Sequence, residues 1–198
     1  MIDVAIVDSG GANLASLQFA LERLGVRSIV TNDPAQIAAA PRVLLPGVGA
    51  AGDAMRRLRA TGLDQLIPRL RMPLLGICLG MQLLFEHSSE DDTPCLGVLP
   101  GHIDRLPPST QLPVPHMGWN TLEIISEDTL LRGIGAGDYV YFVHSYAAPI
   151  THSTMAAVRY GSSFAAVVRK GNFCGVQFHP ERSAAVGARL LHNFLTLQ

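Results

Sequence analysis

The apolar positions change spacing repeatedly along the first half of the chain, and each change marks a new element. Ile2 to Val7 is an apolar run short enough for a buried strand. Beyond the loop Ser9-Gly10-Gly11-Ala12, which Asn13 is placed to close as an N-cap, Leu14, Leu17, Leu21 and Leu24 recur at three- and four-residue steps. That spacing predicts one leucine-lined helix face, and Gly25 stops it. The alternation continues with a strand over Val26 to Thr31, a helix over Pro34 to Ala40, a strand over Val43 to Leu45, helices over Ala50 to Ala60 and Leu63 to Arg71, and a strand from Leu74. Alternating strands and helices predict a parallel sheet covered on both faces, with ligands bound where the strands end. Ser9 to Asn13, Gly47 to Gly49 and Cys78 to Gly80 should share that edge.

The second half changes character. After the acidic loop Ser88 to Thr93 come extended pieces near Gly97 to Leu106, Thr121 to Ile125, Tyr139 to Val143, Met155 to Tyr160, Ala165 to Lys170 and Phe173 to Phe178. Their glycine- and proline-containing connections predict an antiparallel extension. A last helix, about Ser183 to Leu197, should turn Leu190, Leu191, Phe194 and Leu197 inward. The expected fold is therefore a three-layer, doubly wound α/β arrangement, mostly parallel with an antiparallel extension, built as a single domain over residues 1–198.

Composition narrows the function. With 198 residues, 48% hydrophobic and 16% charged, the chain has the make-up of a globular domain. A net charge of -1 gives no general attraction for nucleic acid or an anionic membrane. Cys78, Cys95 and Cys174 are far apart and odd in number, which argues against a disulfide framework or a zinc site and for a reducing cytoplasm. The start, Met-Ile-Asp-Val-Ala-Ile-Val-Asp, lacks the basic region of a signal peptide, and no apolar run reaches membrane-spanning length. A cytoplasmic protein with no metal and no cofactor is expected.

Leu74 to Phe85 holds the candidate chemistry. Gly76 and Gly80 stand two residues either side of Cys78, where an apolar strand gives way to helical spacing. Glycines there let the backbone turn sharply and push the central side chain out of the sheet, as in a nucleophile elbow. The N–H groups and positive dipole end of the helix that follows favour a thiolate. Against this stands the common fate of a free cysteine, an inert place in the core, which is the reading given to Cys95 and Cys174.

A cysteine nucleophile needs a base, and the base needs an acceptor to fix its tautomer. His179 and Glu181, in Phe178-His179-Pro180-Glu181 at the end of an extended run, supply both. His87, His102, His116, His144, His152 and His192 lack metal-ligand spacing and read as structural or solvated, and Arg56, Arg57 and Arg59 as a solvated helix face. Gly47 to Gly52 matches G-x-G-x-x-G, but it follows the third strand and Pro46 precedes it. No acidic residue ends the next strand either, so an amide-presenting loop is favoured over a dinucleotide site.

Gly76-Ile-Cys-Leu-Gly-Met-Gln82, Phe178-His-Pro-Glu181, Pro46-Gly-Val-Gly49 and His144-Ser-Tyr146 together resemble the class I, triad-type glutamine amidotransferases over nearly the whole chain. Pro115-His-Met-Gly-Trp-Asn120 and the elbow form CLGMQLLFE resemble, within that family, the glutaminase subunits of imidazole glycerol-phosphate synthases of histidine biosynthesis. The resemblance implies hydrolysis of L-glutamine by Cys78, His179 and Glu181, with ammonia passed to a (β/α)8-barrel cyclase in a heterodimer. It also implies that Gln82, Glu90, Ser145 and Tyr146 hold the substrate, and that Asn13, His116, Met117, Trp119 and Asn120 face the cyclase. Leu79 N–H is a candidate oxyanion donor, with an amide of the Gly47-Val48-Gly49 loop as the second, Val48 or Gly49. Glycines flanking Val48 should make a peptide reorientation there cheap. The first loop departs from the family form Asp-Tyr-Gly-x-Gly-Asn, reading Asp8-Ser9-Gly10-Gly11-Ala12-Asn13.

Overall fold

Strict alternation along the buried strands sends neighbouring side chains to opposite faces of the sheet. Val4 and Ile6 enter one hydrophobic cluster together with Leu75 and Ile77, whereas Ala5 and Val7 enter a second with Leu45 and Leu74. A sheet with two apolar faces must be covered twice, which is why helices lie on both sides. A computed structural model describes residues 2–10, 14–107, 110 and 112–197.

The strands, in chain order, are β1 (Val4–Val7), β2 (Ser28–Thr31), β3 (Val43–Gly47), β4 (Leu74–Cys78), β5 (His87–Ser88), β6 (Thr93–Pro94), β7 (His102–Arg105), β8 (His116–Thr121), β9 (Glu123–Ile124), β10 (Tyr139–His144), β11 (Tyr146–Ala147), β12 (Thr154–Tyr160), β13 (Ser162–Lys170) and β14 (Phe173–Val176). The helices are α1 (Leu14–Arg23), α2 (Pro34–Ala39), α3 (Ala51–Ala60), α4 (Leu63–Leu66), α5 (Leu79–Gln82) and α6 (Ala184–Leu195). Among the described residues the central sheet has the order β2-β1-β3-β4-β14-β13-β12-β9. A ribbon of β10 and β8 and a small sheet, β11-β7-β5-β6, lie beside it.

Three differences from the sequence reading bear on the site. The run Phe173 to Phe178, grouped above with the antiparallel extension, instead has its strand β14 parallel to β4, with Gly175 opposite Gly76 and Val176 opposite Ile77. Antiparallel pairing begins only at β13. Sequence periodicity reports burial, not strand direction, and a buried run reads the same either way. The acidic loop contributes the short strands β5 and β6, and His116 to Thr121 forms β8 where only the piece after Thr121 was expected.

The helix after Cys78 is also shorter than expected, a single turn over Leu79–Gln82. Its first N–H groups keep their donor role, but four residues carry little macrodipole, and that part of the thiolate argument falls away. The last helix matches its prediction, with Leu190, Leu191 and Phe194 fully buried and Leu197 nearly so. Asn13, the expected cap of α1, is outside the described residues.

Candidate active site

Cys78 ends β4 with φ 54 and ψ -114, a backbone conformation that L side chains rarely adopt. Packing holds it there. A Cβ on Gly80 would sit 1.7 Å from the Leu45 carbonyl oxygen, and one on Gly76 would sit 2.6 Å from the Gly80 oxygen. Only glycines let the turn press onto β3 and β4 this closely, so the elbow follows from residue size.

The glycines of the facing loop differ from each other. Gly47 ends β3 with a virtual Cβ only 2.9 Å from Gly80 N, so it serves close approach, whereas Gly49 has φ +88 and open space around it. Freedom to reorient near Val48 therefore rests on Gly49 alone, against the expectation of two flexible neighbours.

His179 follows the parallel strand β14, which delivers it to the same edge as Cys78. Its Nδ1 lies 2.9 Å from Glu181 Oε1, and both side chains are 9% exposed. The carboxylate accepts from Nδ1–H, which leaves Nε2 as the basic nitrogen. Two contacts fix the backbone here: Ser183 Oγ donates to the His179 carbonyl at 2.7 Å and accepts from Tyr141 N–H at 3.0 Å. The turn holding Glu181 rests on α6 through Gly187, where a Cβ would meet the Pro180 oxygen at 1.9 Å.

Electrostatics complete the pairing. Burial lowers the His179 pKa, but Cys78 and Glu181 together outweigh it and raise the imidazole to about 10. His179 Nε2 and Glu181 Oε2 are buried atoms without a hydrogen-bond partner. The Cys78 sulfur also lies 3.9 Å from the Val143 carbonyl, a long contact in which the thiol donates.

Cys78 and His179 line one cavity of about 380 Å³ with Val48, Gly49, Leu79, Gln82, Glu90, Ser145 and Tyr146. Every residue expected to be catalytic, oxyanion-binding or substrate-binding thus borders this space, except Glu181, which stands behind His179. Glu90 also accepts from Ala51 N–H at 2.8 Å, so its carboxylate serves the otherwise uncapped start of α3, and burial raises its pKa. The described residues hold no cluster of three or more metal-ligating side chains.

The interface expectation divides by face. In β8, Met117 and Trp119 point outward at 67% and 51% exposure, and Trp119 meets Tyr141 edge-on at 5.9 Å. His116, by contrast, is buried between Tyr160 and Phe142, because the strand's alternation turns it inward. Asn120 shares that inner face, where it donates to the Arg159 carbonyl at 3.1 Å. A surface role therefore fits Met117 and Trp119 but not His116. Asn13 is outside the described residues.

Cys174 is buried as expected, with burial raising its thiol to about 12. Cys95 is half-buried instead, donates to the Thr93 carbonyl at 3.5 Å, and is raised to about 11 by burial. Sequence reasoning missed Gln177 and Ser183. Gln177 is the lone amide in the apolar run Phe173 to Phe178, just past β14, and nothing in the run itself places it beside Cys78.

The sequence profile described as glutamine amidotransferase class-I matches residues 5–197. The chain belongs to that family. It is 56% identical over 197 residues to the "Imidazole glycerol phosphate synthase subunit HisH" of Xanthomonas oryzae pv. oryzae, covering 100% of this chain and 98% of the relative. The protein of the same name from Xylella fastidiosa is 53% identical with the same coverage. Among solved structures, one described as "Crystal structure of glutamine amidotransferase" aligns with TM-score 0.75 at 22% identity, over 97% of this chain and 96% of its own. "Structure of PurLQS from Thermotoga maritima" aligns with TM-score 0.71 at 20% identity, covering 98% of each chain. These structures are similar in fold. No helix among the described residues is long and apolar enough to cross a membrane.

Proposed function

We propose that this class-I amidotransferase is the glutaminase subunit of an imidazole glycerol phosphate synthase, as its relatives are named, and acts in histidine biosynthesis. The observation that carries the reading is one cavity bordered by the strained Cys78 and by His179, with Glu181 bonded to the imidazole at 2.9 Å.

Cys78 attacks the side-chain amide carbon of glutamine as a thiolate paired with the protonated His179, which gives its proton to the departing ammonia. Water activated by His179 then cleaves the γ-glutamyl thioester, giving glutamate. Glu181 holds the imidazole in one tautomer throughout and stabilises its charge. The tetrahedral oxygen is bound by Leu79 N–H, which opens α5, and by an amide of the Val48-Gly49 loop, each donor lowering the barrier by about 3–4 kcal/mol. Gln82, Glu90, Ser145 and Tyr146 hold the amino-acid end of the substrate.

The partner is a (β/α)8 cyclase that uses the ammonia to make imidazole glycerol phosphate and AICAR. Met117 and Trp119 form its docking face, with Tyr141 beside them and the Arg182 guanidinium 5.5 Å over the Tyr141 ring. A second cavity of about 160 Å³ shares Val48, Val143 and His179 with the first, and offers ammonia a way out of the site. Partner binding sets the loop at Gly49 and raises activity. Ammonia release from glutamine, measured with and without the cyclase and its nucleotide ligand, tests this. Stimulation by the liganded cyclase, abolished in Cys78→Ala, is expected. Glutamine-dependent synthesis undiminished in Cys78→Ala would refute it.

A further inference from the structure

The parallel register of β4 and β14 brings one more side chain to the nucleophile. Val176 is level with Ile77, so Gln177 comes level with Cys78. Gln177 is fully buried, and a buried primary amide is costly unless both its ends are hydrogen-bonded. Its Oε1 accepts from Gln82 Nε2 at 2.9 Å, and its Nε2 donates to Cys78 Sγ at 3.8 Å.

Which end of the amide faces the sulfur is decided by the next contact. Gln82 Nε2 also donates to the Tyr146 carbonyl at 2.8 Å, so both of its hydrogens are committed, one to Tyr146 and one to Gln177. A nitrogen that only donates requires an oxygen opposite it. Rotating the Gln177 amide by half a turn would set N–H against N–H beside Gln82, which leaves the N–H end of Gln177 aimed at the sulfur. The Tyr146 carbonyl accepts from His144 Nδ1 as well, at 2.8 Å. His144 is buried with its pKa lowered to about 3 by that burial, so it donates there as a neutral ring.

An N–H donor beside sulfur acts differently on its two protonation states. A thiol accepts hydrogen bonds weakly, whereas a thiolate accepts a strong, charge-assisted one. The donor therefore stabilises the ionised nucleophile. It also draws the sulfur toward β14, away from the Val143 carbonyl that the thiol uses. Once the carbon–sulfur bond forms, the charge leaves the sulfur and the contact weakens.

We propose that Gln177 is a further catalytic residue of this site: its side-chain N–H binds the Cys78 thiolate and sets its position, and Gln82 fixes the amide's orientation. The inference rests on Cys78 being the nucleophile. The titratable groups around the sulfur are His179 and Glu181 from the turn after β14, His144 from β10, Glu90 beside α3, and Tyr146 from β11.

The test uses the full chain, following iodoacetamide alkylation of the Cys78 peptide by mass spectrometry across pH, together with glutamine kinetics in the presence of the cyclase. Gln177→Met removes the donor without adding charge. Gln177→Glu keeps the acceptor that Gln82 needs, and replaces the N–H aimed at sulfur with a carboxylate oxygen that brings negative charge beside the thiolate. Circular dichroism reports whether each variant folds. In folded Gln177→Met the alkylation midpoint should rise by about one pH unit and kcat fall about tenfold, with KM for glutamine changed less than about threefold. If Gln177→Met does not fold, Gln177→Glu decides, with a larger rise in midpoint expected from its added charge. An alkylation profile coincident with the parent protein in the deciding variant overturns the role of Gln177, while loss of glutaminase in Cys78→Ala still leaves the nucleophile reading standing. Glutaminase retained in Cys78→Ala overturns both.

Discussion

At the residue scale, two numbers at the triad make predictions of opposite kinds. The imidazole of His179 is raised to about 10 because Cys78 and Glu181 favour its protonated form despite burial. A folded-state pKa above the unfolded value contributes stability that is full below about 6.5 and is lost as pH rises through about 10. Removing the sulfur in Cys78→Ala should lower the His179 pKa, read as an earlier imidazole titration by NMR, and an unshifted titration would separate the two groups electrostatically. The Cys78 backbone makes the second prediction, since φ 54 with ψ -114 stores strain of about 1–3 kcal/mol in any residue with a Cβ. Cys78→Gly should relieve it and be more stable than Cys78→Ala by about 1 kcal/mol after glycine's greater freedom in the unfolded chain is subtracted, read as a higher melting temperature. Much of this was legible, because Gly76, Cys78 and Gly80 announce a sharp turn, and His179 with Glu181 two positions on announces an oriented base. Gln177 was not, since the sequence held no sign that Phe173 to Phe178 runs parallel to β4 and so no reason to set that amide beside Cys78. The interface role that the resemblance implies for His116 does not fit its burial, because a strand sends alternate residues of the motif to opposite faces.

At the scale of elements, the elbow depends on a close fit between α5 and β3. The Cβ of an alanine at 80 would overlap the Leu45 carbonyl oxygen, a backbone atom that cannot rotate aside. Gly80→Ala should cost at least about 3 kcal/mol and remove glutaminase activity, whereas Gly135→Ala, at a glycine with open space and no positive φ, should stay within about 0.5 kcal/mol. Thermal melts of the two variants side by side check this, and a stable Gly80→Ala would show that the elbow does not need the close approach. The strand and helix order of the first half was readable because each element has its own period. The length of α5 was not, because Met81, Leu83 and Leu84 are buried whether the chain continues as helix or turns.

At the scale of the whole molecule, the ribbon of β8 and β10 joins the proposed docking face to the site. Its outer side carries Met117 and Trp119, while the Tyr141 carbonyl accepts from His179 N–H at 2.9 Å and the Val143 carbonyl accepts from Cys78. Trp119→Ala should weaken cyclase binding by tenfold or more and leave partner-free ammonia release unchanged, measurable by calorimetric titration. The inner side of the ribbon holds the buried pair His116 and His144, with ring nitrogens 3.1 Å apart. Burial lowers them to about 4 and about 3. The unfolded chain takes up protons first as pH falls, so stability is full above about 6.5 and declines below it, by about 1.4 kcal/mol per pH unit for each histidine. Denaturant unfolding between pH 6.5 and 4 should show this slope, and His116→Gln should reduce it by one histidine's share.

The mechanism requires Cys78 to carry the γ-glutamyl group during turnover. Acid quenching of the complex while it consumes glutamine, followed by mass spectrometry of the Cys78 peptide, tests it most directly. A γ-glutamyl thioester on Cys78 that vanishes when glutamine is exhausted is expected. Steady glutamine hydrolysis with that peptide unmodified, and with Cys78→Ala equally active, would contradict it.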